Sequence, residues 1–535
     1  MAGVTGVAAM SVLVMVMVVQ MVAMMGVTVE AQGSWAVLQK NAGIASMHSA
    51  VSHFDQVIML DRTNIGPSAI KLPGGRCRKQ PLERVSKTDC YAHSVMFNPN
   101  GGGVRPLYIF TDTWCSSGQF FDNGVLVQTG GDFEGNKVIR TLAPCGAGGN
   151  CDWVETGART TTGRWYASNA LLPSGTRQII VGGRDGPNYE FYPKRFAGEG
   201  SFYVPMLGGQ DTLYPYVILL PNGNVFFFAG RKSVQINWNN QKTVRTYPDI
   251  PGPNRNYPSA GSSTLLPLTW QNNFGQAEVM VCGGAAGGAA KANNVNAPAV
   301  ASCGRMVMTA ANAGWAMSNM PIRRTMGDMI NTPDGQVVII NGAQNGFQGW
   351  GKANNPALNP VSYNPGNGRY AVLAKTNIPR LYHSTANLLS DGRILVAGSN
   401  THQFYTYTGA FPTELRVEAY SPAYLGAGNN NVRPGIQGYP RAIKYNQVFA
   451  VTFGIGARAG GVECVMNSAP YSTHSYSQGQ RQARLKTSVP VKVGGGWSVQ
   501  CTAVPSANVL PPSYYMFFVV QNGIPSRGVW VKQNN

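Results

Sequence analysis

The sequence is short of charge. Aspartate, glutamate, lysine and arginine make up 12% of its 535 residues, about half the roughly 25% of an ordinary globular chain. A soluble helix needs a charged outer face, and 65 glycines and 34 prolines occupy the chain instead. That excludes an all-helical bundle and favours a sheet protein rich in turns. Long disorder is excluded as well, because 44% of the residues are hydrophobic and 10% aromatic. No basic arm exists either. The formal charge is +19, yet the densest cation group is Arg76, Arg78 and Lys79. A nucleic-acid binder would concentrate its cations, so no nucleic-acid partner is expected. The scattered charge reads as adhesion to polyanionic surroundings such as cell-wall polymers.

Several chemistries are missing. There is no HExxH, no G-x-S-x-G, no Walker A loop and no pair of CxxC motifs, and the glycine doublets end strands without a helix signal after them. Zinc-peptidase, ATP and NAD readings therefore fall. The six histidines are His48, His53, His93, His383, His402 and His474, too few for a large histidine cluster. No Asn-x-Ser/Thr sequon occurs, so ordinary N-glycosylation is not expected.

The front of the chain carries an address. Residues 1–28 hold no charged side chain, and Val29 and Ala31 are small enough for cleavage after Ala31. Residues 1–31 read as a signal peptide, with an uncleaved anchor as the alternative, and the expected location is extracellular, in the apoplast or cell wall. Nine cysteines in an oxidising compartment should mostly pair. Joining near neighbours gives Cys77–Cys90, Cys145–Cys151, Cys282–Cys303 and Cys464–Cys501, among other formal connectivities, and leaves Cys115 alone.

One phrase recurs: an apolar strand, a turn often of the Asp-Gly or Asn-Gly kind, a second apolar strand and a glycine. It reads GQFFDNGVLVQTGG at 118–131, VILLPNGNVFFFAG at 217–230 and ANLLSDGRILVAG at 386–398, with related copies at 169–183, 263–284 and 327–342 and a degenerate one at 48–61. The closing glycines stand at 131, 183, 230, 284, 342 and 398. Hairpin turns repeating about every fifty residues match a kelch-type propeller, whose radial closure removes exposed sheet edges. Seven blades fit between residues 34 and 410; a β-helix or a sandwich array is the alternative. Beyond the Pro- and Gly-punctuated RPGIQGYP, residues 433–535 show separated strands that fit a small antiparallel sandwich. The fold class is all-β.

Three strand approaches hold reactive side chains: Cys115 in TDTWCSSG, Tyr166 in GRWYASN, and Tyr382 with His383 in PRLYHSTANLL. Taken singly, they read as a buried thiol, a strand aromatic and a hydrogen-bonded core histidine. In a propeller, however, equivalent points of different blades converge on the axis, and phenol with imidazole suits a transition metal, copper above all.

TDTWCSSG followed by DNGVLVQTGG, and RLYHS followed by LLSDGRILVAG, resemble the copper-radical oxidases, the glyoxal oxidase and galactose oxidase family, and within it the secreted plant glyoxal or aldehyde oxidases. The resemblance covers essentially the whole mature chain. It implies a seven-bladed propeller with a C-terminal immunoglobulin-like early-set domain. It implies that Cys115 bonds through sulfur to the ring of Tyr166, forming a radical cofactor that also ligates one copper ion. Tyr382 becomes the axial ligand and proton acceptor, and His383 and His474 the imidazole ligands, the latter carried by a hairpin of the second domain. No flavin, nicotinamide or haem is implied. Small aldehydes such as glyoxal and methylglyoxal, as hydrates, would become carboxylic acids while dioxygen becomes hydrogen peroxide. A primary-alcohol or galactose oxidase with the same centre, and a silent kelch-type binding protein, are the alternatives. In galactose-oxidising relatives an indole stacks over the cross-linked tyrosine; here VGG at 181–183 continues as Arg184 and Asp185, with Trp165 and Trp114 as nearby substitutes. That departure turns the reading toward a small aldehyde, with Arg184 a substrate contact or a salt-bridge partner of Asp185 or another acid. A monomer is expected, with peroxidases as downstream users of the peroxide.

Overall fold

A computed structural model describes residues 32–208, 212–456 and 460–535. The signal peptide expected at 1–31 lies outside the described residues. Among them every helix is a short 3-10 turn, and no helix is long and apolar enough to cross a membrane.

Seven antiparallel blades stand around an axis. Their innermost strands are His48–Val51, Ser117–Phe120, Ser168–Leu171, Tyr216–Leu219, Ser262–Leu265, Asp328–Asn331 and Ser384–Leu388. All but Ser262–Leu265 turn through a short loop into a strand of buried apolar residues, such as Val225–Ala229 or Ile394–Gly398. The recurring glycine at the end of that second strand has a steric cause. At Gly131 and Gly342 φ is +134° and +97°, and a Cβ would lie 2.0 and 2.2 Å from the carbonyl oxygens of Asp112 and Thr325 in the loop leading into the same blade. Only glycine permits that approach.

The seventh blade closes with a strand from the other end of the chain. Ser34–Gln39 pairs with Val417–Ser421, joining Ser34 to Ser421, and thereby fills the outermost place. The last propeller strand thus lies beyond the expected limit of residue 410.

The C-terminal domain is a sandwich whose two sheets share the strand Gln482–Thr487. The first half of that strand pairs with Val462–Ser468 and its end with Gly496–Thr502. Phe449, Val451, Phe453, Met466, Leu485, Val499, Phe517 and Val519 are buried between the sheets, and Cys464–Cys501 ties the two together. The other disulfides are Cys77–Cys90, Cys145–Cys151 and Cys282–Cys303, and Cys115 is a free, buried thiol.

Between Val462–Ser468 and Gln482–Thr487 the domain sends out a hairpin, Tyr471–Thr473 and Tyr476–Gln478, which enters the propeller axis. It adds to the inner edge of the first blade, with His48 opposite Thr473. Side-chain bonds from the hairpin and its stem reach the other six blades: Tyr471 to Ser116, Gln478 to Asn169, Tyr476 to Val217, Gln480 to Thr264 and Asn331, and Pro470 to Asn387. These polar partners replace the water that the hairpin's groups lose on burial.

Candidate active site

In five blades the residue two places before the innermost ladder has a left-handed backbone, and in the seventh the residue one place before it does. Cys115, Tyr166, Tyr214, Ala260, Met326 and His383 have φ between +44° and +66°. Non-glycine residues avoid this region, and its repetition marks a position where the chain must turn sharply to aim side chains at the axis. Neighbouring blades bond through these same residues: Tyr166 N donates to Cys115 O at 2.9 Å, Tyr214 N to Tyr166 O at 2.7 Å, and Met326 N to Ala260 O at 2.6 Å. Residues far apart in sequence are held side by side by main-chain bonds.

His474 arrives from the opposite direction, at the tip of the hairpin. His474 and Ser475 both have positive φ, +46° and +68°, the backbone of a type I′ turn usually given to Asn-Gly. Thr473 Oγ1 donates to Met47 O at 3.0 Å and lies 2.7 Å from His474 Nδ1. With its proton committed, the hydroxyl accepts from Nδ1–H, and the tautomer leaves the Nε2 lone pair free. That Nε2 lies 3.2 Å from Cys115 Sγ.

Tyr382 and His383 lie in the loop immediately before the strand Ser384–Leu388, with their rings stacked at 3.8 Å. The positive φ of His383 lets adjacent residues serve one site where a regular strand would point them to opposite faces. All five side chains are buried. The Tyr166 and Tyr382 hydroxyls are 3.4 Å apart, and the His383 and His474 ring centroids 4.8 Å. The Cys115 thiol is within side-chain hydrogen-bonding reach of Tyr166.

Burial sets the protonation. It drives His383 and His474 well below the usual imidazole range, with Arg62 adding to the effect at His383, so both rings are neutral. It pushes the Tyr166, Tyr382 and Cys115 acids well up, so each keeps its proton unless a metal takes its place. Asp112, three residues before Cys115, is pushed up to about 8 by burial and by Glu134 and Glu83. Its carboxyl accepts from the backbone N–H groups of Thr63 and Trp114 and from Asn64, which fixes the loop presenting the thiol.

The donor set fits a transition metal. Cys115, His383 and His474 place their ligand atoms within 4.8 Å of one another. Neither ring nitrogen of His383 has a hydrogen-bond partner. A buried imidazole without a partner is costly unless a cation takes its lone pair. Neutral imidazole, phenol and thiol together match the softness of copper better than that of magnesium or calcium.

Three further groups escaped the sequence reading. The hydroxyl of Tyr257 lies 3.2 Å from that of Tyr166 and 3.3 Å from that of Tyr382. Tyr214 packs its ring edge-on to Tyr166 at 5.4 Å, and His48 lies 6.4 Å from His474. Tyr214 shares the blade position of Cys115 and Tyr166, a signal the sequence did contain; Tyr257, three residues before that position, has no such mark. Of the two indoles considered, Trp165 lies against Tyr166 at 4.9 Å, tilted by 46°, while Trp114 stacks on Trp350. Arg184 is exposed, with its guanidinium 4.8 Å over Trp165. It makes no ion pair with Asp185 among the described residues, and it lines a cleft of about 540 Å³ with Arg84, Asp132, Phe133 and Trp165.

Comparison with known proteins agrees in extent and order. Residues 47–424 match the family model "Glyoxal oxidase N-terminus" and residues 433–533 that of the "Galactose oxidase-like, Early set domain". The aldehyde oxidase GLOX of Vitis pseudoreticulata is 47% identical, covering 94% of this chain and 97% of its own. The aldehyde oxidase GLOX1 of Arabidopsis thaliana is 39% identical, covering 94% and 84%. Among solved structures, a fungal alcohol oxidase in complex with copper superposes with a TM-score of 0.73 at 18% identity, covering 94% of this chain and all of the other.

Proposed function

The chain belongs to the glyoxal oxidase family, and from that premise we propose that it is a copper-radical oxidase of small aldehydes whose centre is built from Cys115, Tyr166, Tyr382, His383 and His474. The observation that carries this reading is the pair of buried imidazoles whose free ring nitrogens converge on one point. His383 has both nitrogens unpartnered, and His474 has its Nε2 freed by Thr473 and turned to the same point as the Cys115 thiol.

Tyr166, His383 and His474 would hold the copper, with Tyr382 as a weaker ligand, and the sulfur of Cys115 would be joined to the Tyr166 ring. Bound copper supplies a Lewis acid and one oxidising equivalent, and the linked tyrosine radical supplies the other. The remaining steps belong to side chains. The Tyr382 oxygen takes the hydroxyl proton of the aldehyde hydrate, and the adjacent Tyr166 oxygen takes the hydrogen on carbon. The net reaction balances as RCH(OH)2 + O2 → RCOOH + H2O2. Packing of the hairpin around the axis would keep bulk water from the radical ring, and Arg184 would bond a substrate oxygen, a role supported by its exposure beside Trp165, which packs on Tyr166.

The same reading makes the protein secreted and monomeric. Four disulfides and the apolar leader support an oxidising, extracellular setting, in which the net positive charge favours contact with polyanionic wall polymers and the peroxide is available to peroxidases. The test is hydrogen peroxide release by the copper-loaded protein with glyoxal, methylglyoxal, galactose and benzyl alcohol. Turnover highest with the two aldehydes supports the assignment. Turnover confined to an alcohol would move it to the alcohol-oxidising relatives, and none with any substrate would make the chain a binding protein.

A further inference from the structure

Three phenol oxygens form a triangle at the site. Tyr257 stands 3.2 Å from Tyr166 and 3.3 Å from Tyr382, and those two are 3.4 Å from each other. The Tyr257 ring lies 4.5 Å from that of Tyr166. Tyr166 and Tyr382 are buried, whereas Tyr257 retains some exposure and so lies on the outer side of the triangle. Among the described residues its hydroxyl bonds to these two oxygens alone. Tyr214 provides the contrast. It is also buried against Tyr166, but its hydroxyl turns away and donates to Ser116 O at 3.0 Å.

We propose that Tyr257 is a positioning residue of the redox centre, whose hydroxyl bridges Tyr166 and Tyr382 and raises the oxidising power of the Tyr166 radical. The physical basis is simple. A hydrogen bond donated to a phenol oxygen stabilises the electron-rich phenolate more than the neutral radical, because bonds to charged acceptors are the stronger ones. The one-electron couple of Tyr166 is thereby shifted to a more positive potential. With Tyr166 protonated, its hydroxyl donates to the Tyr257 oxygen. Once Tyr166 has lost that proton, as phenolate or radical, its oxygen can only accept, and the Tyr257 hydroxyl becomes the donor facing it. No bond is made or broken in this arrangement.

The inference rests on Tyr166 being the radical ring. Its test is a redox titration of copper-loaded wild type, Tyr257→Phe and Tyr214→Phe, followed by the optical absorption of the radical. Tyr257→Phe should show a lower midpoint potential, with unchanged copper content and an intact Cys115–Tyr166 link. Its kcat should fall about tenfold with little change in KM, the scale of one hydrogen bond. Tyr214→Phe should keep the wild-type potential. A wild-type potential in Tyr257→Phe would overturn the inference. If that variant does not fold, 3-fluorotyrosine in place of Tyr257, a stronger donor, should move the potential upward, and no movement would overturn the inference equally. A wild-type protein in which no tyrosine radical can be generated would refute the assignment of Tyr166 itself, which is read before any variant is compared.

Discussion

Nε2 of His474 and Sγ of Cys115 lie 3.2 Å apart although 359 positions separate them. One belongs to the tip of a hairpin from the C-terminal sandwich, the other to the approach of the second blade. Their meeting brings the second domain into the proposed centre. It also explains why the hairpin is polar: inside the axis its groups exchange hydrogen bonds with all seven blades.

Thr473 should matter to metal binding without touching the metal. Its hydroxyl fixes the His474 tautomer, and loss of such an outer partner typically costs about 10–100-fold in metal affinity. Thr473→Val, which preserves shape, should lower copper affinity on that scale in competition with a chelator. Affinity equal to wild type would show that the tautomer is set by something else.

Tyr382→Phe should leave copper content and the cross-link intact and reduce aldehyde-dependent peroxide formation at least about tenfold, the cautious side of what a positioned proton acceptor contributes. The substitution removes only the hydroxyl, so the stacking on His383 survives. Wild-type turnover per bound copper in this variant would remove Tyr382 as the base.

The joint between the domains should weaken in acid. His53 stacks on Tyr514 at 3.8 Å, and burial together with Lys532 lowers its pKa to about 4. The unfolded chain therefore gains a proton near pH 6.5 that the folded chain refuses until about pH 4. Stability from this group is fully present above pH 6.5 and is lost as pH falls toward 4. In urea melts, His53→Gln should lose less stability than wild type between pH 7 and pH 4.5. Parallel losses would contradict the assignment.

Much of the propeller was legible in the sequence because its determinants are local. Turn pairs such as Asn222-Gly223 and Asp391-Gly392 set the hairpins, and the closing glycines Gly131, Gly342 and Gly398 occupy places where a Cβ would strike a carbonyl oxygen. What escaped was nonlocal. The pairing of Ser34–Gln39 with Val417–Ser421 leaves no repeat, because its partners come from opposite ends of the chain. Tyr257 escaped because nothing about a tyrosine before a proline reveals that its hydroxyl reaches two others. Cys115 drew notice by being left over among nine cysteines, and Tyr382 and His383 by standing before a strand, but their common destination came from family resemblance and not from spacing.

The most direct test of the centre is peptide mass mapping of the copper-loaded protein after exposure to air. The peptides bearing Cys115 and Tyr166 should appear joined, with a mass two hydrogens below their sum, and the joined species should accumulate as peroxide-forming activity appears. Cys115 found freely alkylatable in protein that already turns over aldehyde would contradict the account.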